Sequence, residues 1–449
     1  MPNTHYFPIT SEQRKQMLAD IGVRNFRDLL TGVPSEIVSP NLNLPKPLSE
    51  LEITQLLTQM AGSNGNASSL PVFAGAGAYE HFIPAAVDAI TSRGEFVTAY
   101  TPYQAEASQG TLEALFEFQT MVCELTGLEV SNASLYDGAT SLAEACLVAA
   151  NATGRKEILI AETVHPEYRE VVTTYFKGTG FSIRILSPNP EGLINKEAVQ
   201  KAWSENIGAL VVQSPNFFGL VEDLKGVSSW VHEQGGLLIM TANPMALAYM
   251  KSPGEWGADI ACGELQPLGI PLSFGGPYAG YFTTTRALMR RVPGRICGET
   301  VDTEGACAFT LTLQAREQHI RRERASSNIC TNQALCALRA TVFLSLMGTS
   351  GLRQLAELNM ENAYYLREKF AKIAGVSIPY KGTMFNEFVF RTEHPAKDFL
   401  RSLKSRGFLG GVSLNRWYPD RKNDVLVCVT ETKNKETVDR FVKAVEESL

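Results

Sequence analysis

Residues 237 to 280, LLIMTANPMALAYMKSPGEWGADIACGELQPLGIPLSFGGPYAG, decide how this chain is read. Leu237–Thr241 is a short continuous apolar run, the pattern of a strand buried on both faces. A short helical segment follows, then a second strand over Ala258–Cys262, then a loop rich in glycine and proline. In a doubly wound α/β sheet this order brings groups to the carboxyl ends of the strands, where ligands bind. The groups it brings are Asn243 and Gln266, both neutral amides. Neither can form an imine, and neither can hold a ring nitrogen protonated as a carboxylate does. Lys251, eight positions after Asn243, falls on the helix leaving the first strand and is expected to project into solvent.

Composition narrows the function. Of the residues, 44% are hydrophobic and 20% charged, ordinary values for a globular chain, and a net charge of -6 gives no electrostatic reason to expect nucleic acid. The amino terminus, MPNTHYFPITSEQRKQML, lacks an apolar core behind a basic start, so no signal peptide is read. The apolar run Leu335–Met347 is interrupted by Arg339 and reads as too short to span a membrane. Eight cysteines are scattered without a Cys-x-x-Cys pair, which favours reduced thiols in the cytoplasm and argues against zinc. Cys262, beside the amide pair, reads as a buried small hydrophobe rather than a nucleophile. The six histidines show no metal-ligand spacing.

Three regions are expected: an arm over residues 1–70, a large α/β domain over 71–330, and long helices with a small α+β unit over 331–449. The arm holds amphipathic helices at Ser11–Ile21 and Leu48–Ala61, joined by the proline-rich VPSEIVSPNLNLPKP, an extended segment suited to wrapping a partner. The large domain begins with a strand-like PVFAG and alternates helices and strands, which implies parallel pairing with right-handed crossovers. Its predicted strands are Glu157–Ala161, Phe181–Leu186, Ala209–Gln213 and Leu237–Thr241. The helix Thr111–Thr126 carries apolar residues at i, i+3, i+4 spacing and stops at Gly127. Two long helices, Asn332–Leu346 and Leu352–Ile373, lead to strands Asn386–Arg391 and Asp424–Val429 and helices Ala396–Ser405 and Lys435–Glu447.

Four stretches carry local chemistry. TAYTPYQAEASQGTLEALFEFQT puts Tyr100, Tyr103 and Gln104 before a helix, where they can orient a small anion or simply pack on the sheet. In LYDGATSLAEA, Gly138, Ala139, Thr140 and Ser141 open a helix with small side chains, either a phosphate cradle or an ordinary start capped by Asp137. His165 follows a strand at the ligand edge, where a ring stacks on a planar cofactor or serves as a structural histidine. QSPNFFGLVED reads mostly as packing. The segment GAGAYE, with Glu95 twenty residues beyond Gly75, is half of a nucleotide fingerprint and lacks its third glycine.

Taken together, FAGAGAYEHFIPA, TAYTPYQAEASQGTLEALFEFQT, ELTGLEVSNASLYDGATSLAEA, QSPNFFG, GELQPLGIPLSFGGPYAGYF, GRICGET and REQHIRRERASSNICTNQAL resemble the glycine cleavage system P-protein family, in its two-subunit form the alpha member. They cover most of Phe73–Leu335 in order.

The resemblance implies an aminotransferase-like fold, that of the pyridoxal-phosphate-dependent transferases of fold type I, with a mostly parallel sheet and a small C-terminal α+β domain. It implies that pyridoxal 5'-phosphate is bound by the beta subunit, and that Gln266 stands where the imine lysine would be and Asn243 where the pyridinium partner would be. The loop Gly138–Ser141 then becomes a vestigial phosphate loop. Implied partners are that beta subunit, in an alpha2-beta2 assembly, and the H-protein, whose lipoyl group receives the aminomethyl unit left when glycine loses carbon dioxide. Tyr100, Tyr103, Gln104 and His165 are the candidates for side chains reaching an interface cleft. A pure scaffold and a stand-alone enzyme using Lys251 are the competing readings.

Overall fold

The computed structural model describes residues 8–34, 37, 43–67 and 69–449, which divide into two compact units, Met1–Gly65 and Asn66–Leu449. In the first unit, helix Ser11–Ile21 begins at a capping box of Thr10 with Gln13 and ends at Gly22 in the left-handed conformation. Helix Glu50–Gly62 begins at a second box, Ser49 with Glu52. Neither helix buries a side chain, and Met17, Ile21, Leu51, Ile53, Leu56, Leu57 and Met60 are all exposed. Of the expected extended segment between them, residues 35, 36 and 38–42 lie outside the described residues.

The second unit is built on a seven-stranded sheet. Its strands are β1 Val130–Ser131, β2 Glu157–Ala161, β3 Ser182–Leu186, β4 Ile207–Gln213, β5 Leu237–Thr241, β6 Ile260–Glu264 and β7 Gly280–Thr284, in the order β1-β7-β6-β5-β4-β2-β3. Strands β3, β2, β4, β5 and β6 pair parallel, as the alternating helices require. Strand β7 turns back antiparallel on β6, and the two-residue β1 pairs antiparallel with β7. The central strands are apolar without alternation because helices cover both faces. One core joins Leu142, Cys146, Ile160, Val211, Ile239 and Phe282, and a second joins Leu115, Phe118, Leu268, Tyr281 and Phe343.

Beyond the sheet, β8 Ile296–Val301 and β9 Cys307–Thr312 form a hairpin absent from the expected strands. Two helix glutamines fasten it by imitating a strand edge. Gln109 donates to the Phe309 carbonyl at 2.9 Å and accepts its N–H at 2.8 Å, and Gln119 does the same for Cys297 at 2.9 and 2.8 Å. The two predicted long helices are present within Ala334–Phe370, parted by a kink at Gly348, whose backbone is non-helical (φ 58°, ψ -178°). By length and composition the merged span Ala334–Phe370 would suffice to cross a membrane, but the kink at Gly348 divides it just after the apolar run Leu335–Met347. Its Ala337, Ala340, Phe343 and Ala356 instead fill the second core. The carboxyl-terminal sheet has the order β10-β11-β13-β12, from β10 Val376–Ser377, β11 Glu387–Thr392, β12 Val412–Ser413 and β13 Asp424–Cys428. Helices Ala396–Ser405 and Lys435–Glu446 pack on it through Phe399, Leu403 and Phe441.

PVFAG is not a strand. Val72 makes one parallel bridge to Leu409, and residues 75 to 83 cross the ligand edge of the large sheet as a strap.

Candidate functional site

Strands β5 and β6 end side by side, as the opening stretch implied, and place Asn243 and Gln266 at the sheet's ligand edge. Gln266 is buried and its amide is fully used. Its Oε1 accepts the Tyr79 N–H at 2.8 Å, and its Nε2 donates to the Tyr79 carbonyl at 2.9 Å and to the Ile270 carbonyl at 3.0 Å. Asn243 Oδ1 accepts the Met245 N–H at 3.0 Å, which leaves Nδ2 buried without a partner among the described residues.

The strap is held from its other side by the carboxyl-terminal sheet. Glu387, on β11, accepts the Ala76 N–H at 2.7 Å and the Tyr79 hydroxyl at 2.8 Å. Burial pushes this carboxyl up to about 7, against the pull of those two donors. Further along, Glu431 accepts the Phe82 N–H at 2.7 Å and contacts the His81 ring at 2.8 Å, and Lys433 pairs with Glu80 at 2.7 Å. The half-fingerprint GAGAYE therefore follows no strand and opens no helix. Glu95 lies apart, exposed and paired with Arg93.

His165 is buried next to the strap. Its Nε2 meets the Ala76 carbonyl at 2.8 Å and its Nδ1 accepts the Glu167 N–H at 3.2 Å, which fixes the proton on Nε2. The ring stacks on Tyr168 at 4.7 Å between centroids, and burial holds its pKa below the usual value. At the Gly138 loop, Asp137 caps the helix by accepting the Thr140 N–H at 2.7 Å, and the Ser141 hydroxyl donates to the Asp137 carbonyl at 2.8 Å. The Gly138 N–H, at the head of helix Gly138–Thr153, donates at 3.0 Å to the carboxylate of Glu264, a residue sequence reasoning passed over. Sequence carried one signal for it: Glu264 is the acidic residue at the end of the strand that leads into Gln266. Cys262 is fully buried, and burial pushes its thiol well up, so it is no nucleophile.

The cavity left among Gly77, Tyr79, His165, Tyr168, Asn243 and Glu264 measures about 30 Å³. That admits a water. Ligand pockets begin at about 300 Å³, so the residues here do not fit pyridoxal phosphate.

Tyr100 and Tyr103 lie elsewhere in this unit, 80% and 79% exposed. Tyr100 borders two adjoining cavities of about 510 and 470 Å³, and Tyr103 borders the second with Arg295, Glu317 and His319. Gln104 is exposed beside them and lines neither. Arg295 donates to the Thr101 hydroxyl and, at 3.4 Å, to Asn332, so this segment is anchored although its tyrosines are exposed. The structure thus separates His165, in the closed pocket, from the two tyrosines on the open cleft. Lys251 is exposed, with its ammonium 3.8 Å over the Trp256 ring. Among the described residues no group of three His, Cys, Asp or Glu side chains could hold a metal ion.

Strand order, the antiparallel β7 and the strand-end pocket define the chain as a pyridoxal-phosphate-dependent transferase fold of type I. Sphingosine-1-phosphate lyase of Burkholderia pseudomallei shares this fold at a TM-score of 0.66 and 14% identity, covering 92% of this chain and 93% of its own. The family described as Glycine cleavage system P-protein matches residues 4–445, and the chain belongs to that family. It is similar to the "Probable glycine dehydrogenase (decarboxylating) subunit 1" of Desulfitobacterium hafniense, 48% identical over 98% of each chain. The protein of the same name from Geobacillus thermodenitrificans is 47% identical over 97% of each. A crystal structure of glycine decarboxylase (P-protein) of the glycine cleavage system, in inhibitor-bound form, superposes at a TM-score of 0.91 with 41% identity, covering 99% of this chain and 100% of the other.

Proposed function

We propose that this chain is the cofactor-free alpha subunit of a cytoplasmic glycine decarboxylase, assembled as alpha2-beta2 with a beta subunit that carries pyridoxal 5'-phosphate. The assembly decarboxylates glycine, transfers the aminomethyl group to the lipoyl disulfide of the H-protein and releases carbon dioxide. One observation carries the reading: Gln266, at the imine position, has all three of its polar bonds committed to backbone, beside a cavity of about 30 Å³. A chain with neither an amine nor room for the ring must take its electron sink from a partner.

The contribution of this chain is a wall of the working cleft. Tyr100 and Tyr103 are exposed next to the two large cavities, on a segment Arg295 holds in place. A wall of this kind excludes water and orients a polar group of the substrate or of the lipoyl arm. The test is the double substitution Tyr100→Phe, Tyr103→Phe in the assembled enzyme. Loss of one oriented hydrogen bond in the transition state lowers turnover about tenfold, with the sedimentation profile of the heteromer unchanged. Unchanged turnover would remove this role from the two tyrosines.

A further inference from the structure

The missing lysine is only part of what keeps the cofactor out. At the head of helix Gly138–Thr153, where a phosphate would be held by backbone N–H groups and the helix dipole, the Glu264 carboxylate already sits. Its Oε2 accepts from Gly138 at 3.0 Å, and its Oε1 accepts from Gln266 and from Ala279, both at 3.2 Å. Three N–H groups from three separate segments converge on one buried carboxyl group, which burial pushes up to about 7 against the pull of those donors. The remaining space is taken by Tyr168, since a Cβ placed on Gly138 would run into its hydroxyl. Gln266 closes the third side by tying down the strap.

We infer that Glu264 and Tyr168, as much as Gln266, exclude pyridoxal phosphate from this chain, with the Glu264 carboxylate acting as a covalently tethered substitute for the phosphate group. The inference rests on the reading of the pocket as the counterpart of the one that holds cofactor in the partner. Its consequence for the assembly is that cofactor loads into one of two related pockets, and that restoring a lysine here leaves the second pocket closed.

The experiment uses the full chain, incubated with pyridoxal phosphate, reduced with borohydride and digested for mass spectrometry. Gln266→Lys alone is expected to gain no reduced adduct at position 266. The combination of Gln266→Lys with Glu264→Ala and Tyr168→Ala is expected to gain one. Efficient labelling of the single variant, or none at position 266 in a folded triple variant, overturns the inference. Should the triple variant fail to fold, Glu264→Ala alone decides with inorganic phosphate as the probe. Its thermal midpoint should rise saturably with phosphate while the wild-type midpoint stays put. A flat response in the variant, or an equal rise in both, overturns the inference. These readouts use the isolated chain, so they can fail while the role of the tyrosines in the heteromer stands, and the reverse.

Discussion

Gln266→Met tests the fastening of the strap with little change of shape, because the two side chains are similar in volume and Met fills irregular space readily. The substitution leaves the Tyr79 N–H, the Tyr79 carbonyl and the Ile270 carbonyl without the partners they have at 2.8, 2.9 and 3.0 Å. A buried donor left unmade costs about 1–3 kcal/mol, and two carbonyls add about 1 kcal/mol each, so the expected loss is about 3–5 kcal/mol. Against a total stability of about 5–15 kcal/mol this is a large fraction. Urea unfolding should show a lower midpoint with an unchanged slope. Native-state hydrogen exchange should show faster exchange of the Tyr79 amide. A loss below about 1 kcal/mol, with Tyr79 still protected, would refute the view that the amide at the lysine position is a structural fastener.

Glu144, Glu222, Glu264 and Glu387 are each pushed from the ordinary 4.5 up to about 7, with burial the largest cause. The folded state then holds protons that the unfolded chain releases between pH 4.5 and 7, so these groups make stability fall as pH rises through that window and contribute no slope above it. Each shift corresponds to about 3 kcal/mol at neutral pH. Glu387→Gln, which can still accept from Ala76, should flatten the slope of the urea midpoint between pH 5 and 7; an identical slope in wild type and variant would contradict the assignment. Gly219 stands at φ 87° with a Cβ position that runs into the Glu387 carbonyl, so Gly219→Ala should cost about 3 kcal/mol or more in chemical denaturation. Lys251→Ala should cost no more than about 1 kcal/mol, the worth of its contact with Trp256, and should leave the absorbance of chain mixed with pyridoxal phosphate unchanged. An imine band lost in that variant would instead support catalysis by this chain alone.

Local signals read well where one principle acts alone. The strands Glu157–Ala161 and Leu237–Thr241 and the helices Ser11–Ile21 and Ala396–Ser405 run as their patterns indicate, because apolar runs set the strands, a capping box starts the first helix, and Pro395 with the apolar face of Ala396, Phe399 and Leu403 sets the second. The hairpin β8–β9 was hidden because, past the buried Ile296 and Cys297, its side chains are exposed or half-buried, and what holds it is a pair of glutamines from another element. PVFAG has strand composition but finds a single bridging partner, Leu409, more than three hundred residues away. At the site, Asn243 and Gln266 were legible from their places after two strands, yet what their amides bond to was not. Glu387 and Glu431, which hold the strap, come from the far end of the chain, and no local pattern announces such contacts. Glu264 was in plain view beside Gln266 but reads as an ordinary strand end until the Gly138 N–H is seen to point at it.

Glycine-dependent exchange of labelled bicarbonate into the glycine carboxyl group, measured with lipoylated H-protein for this chain, for the pyridoxal-phosphate-carrying beta subunit and for the two mixed, is the most direct test. Exchange by the mixture, with none from this chain alone and no imine band when it is given pyridoxal phosphate, is the expected result. Exchange by this chain unaided would contradict it.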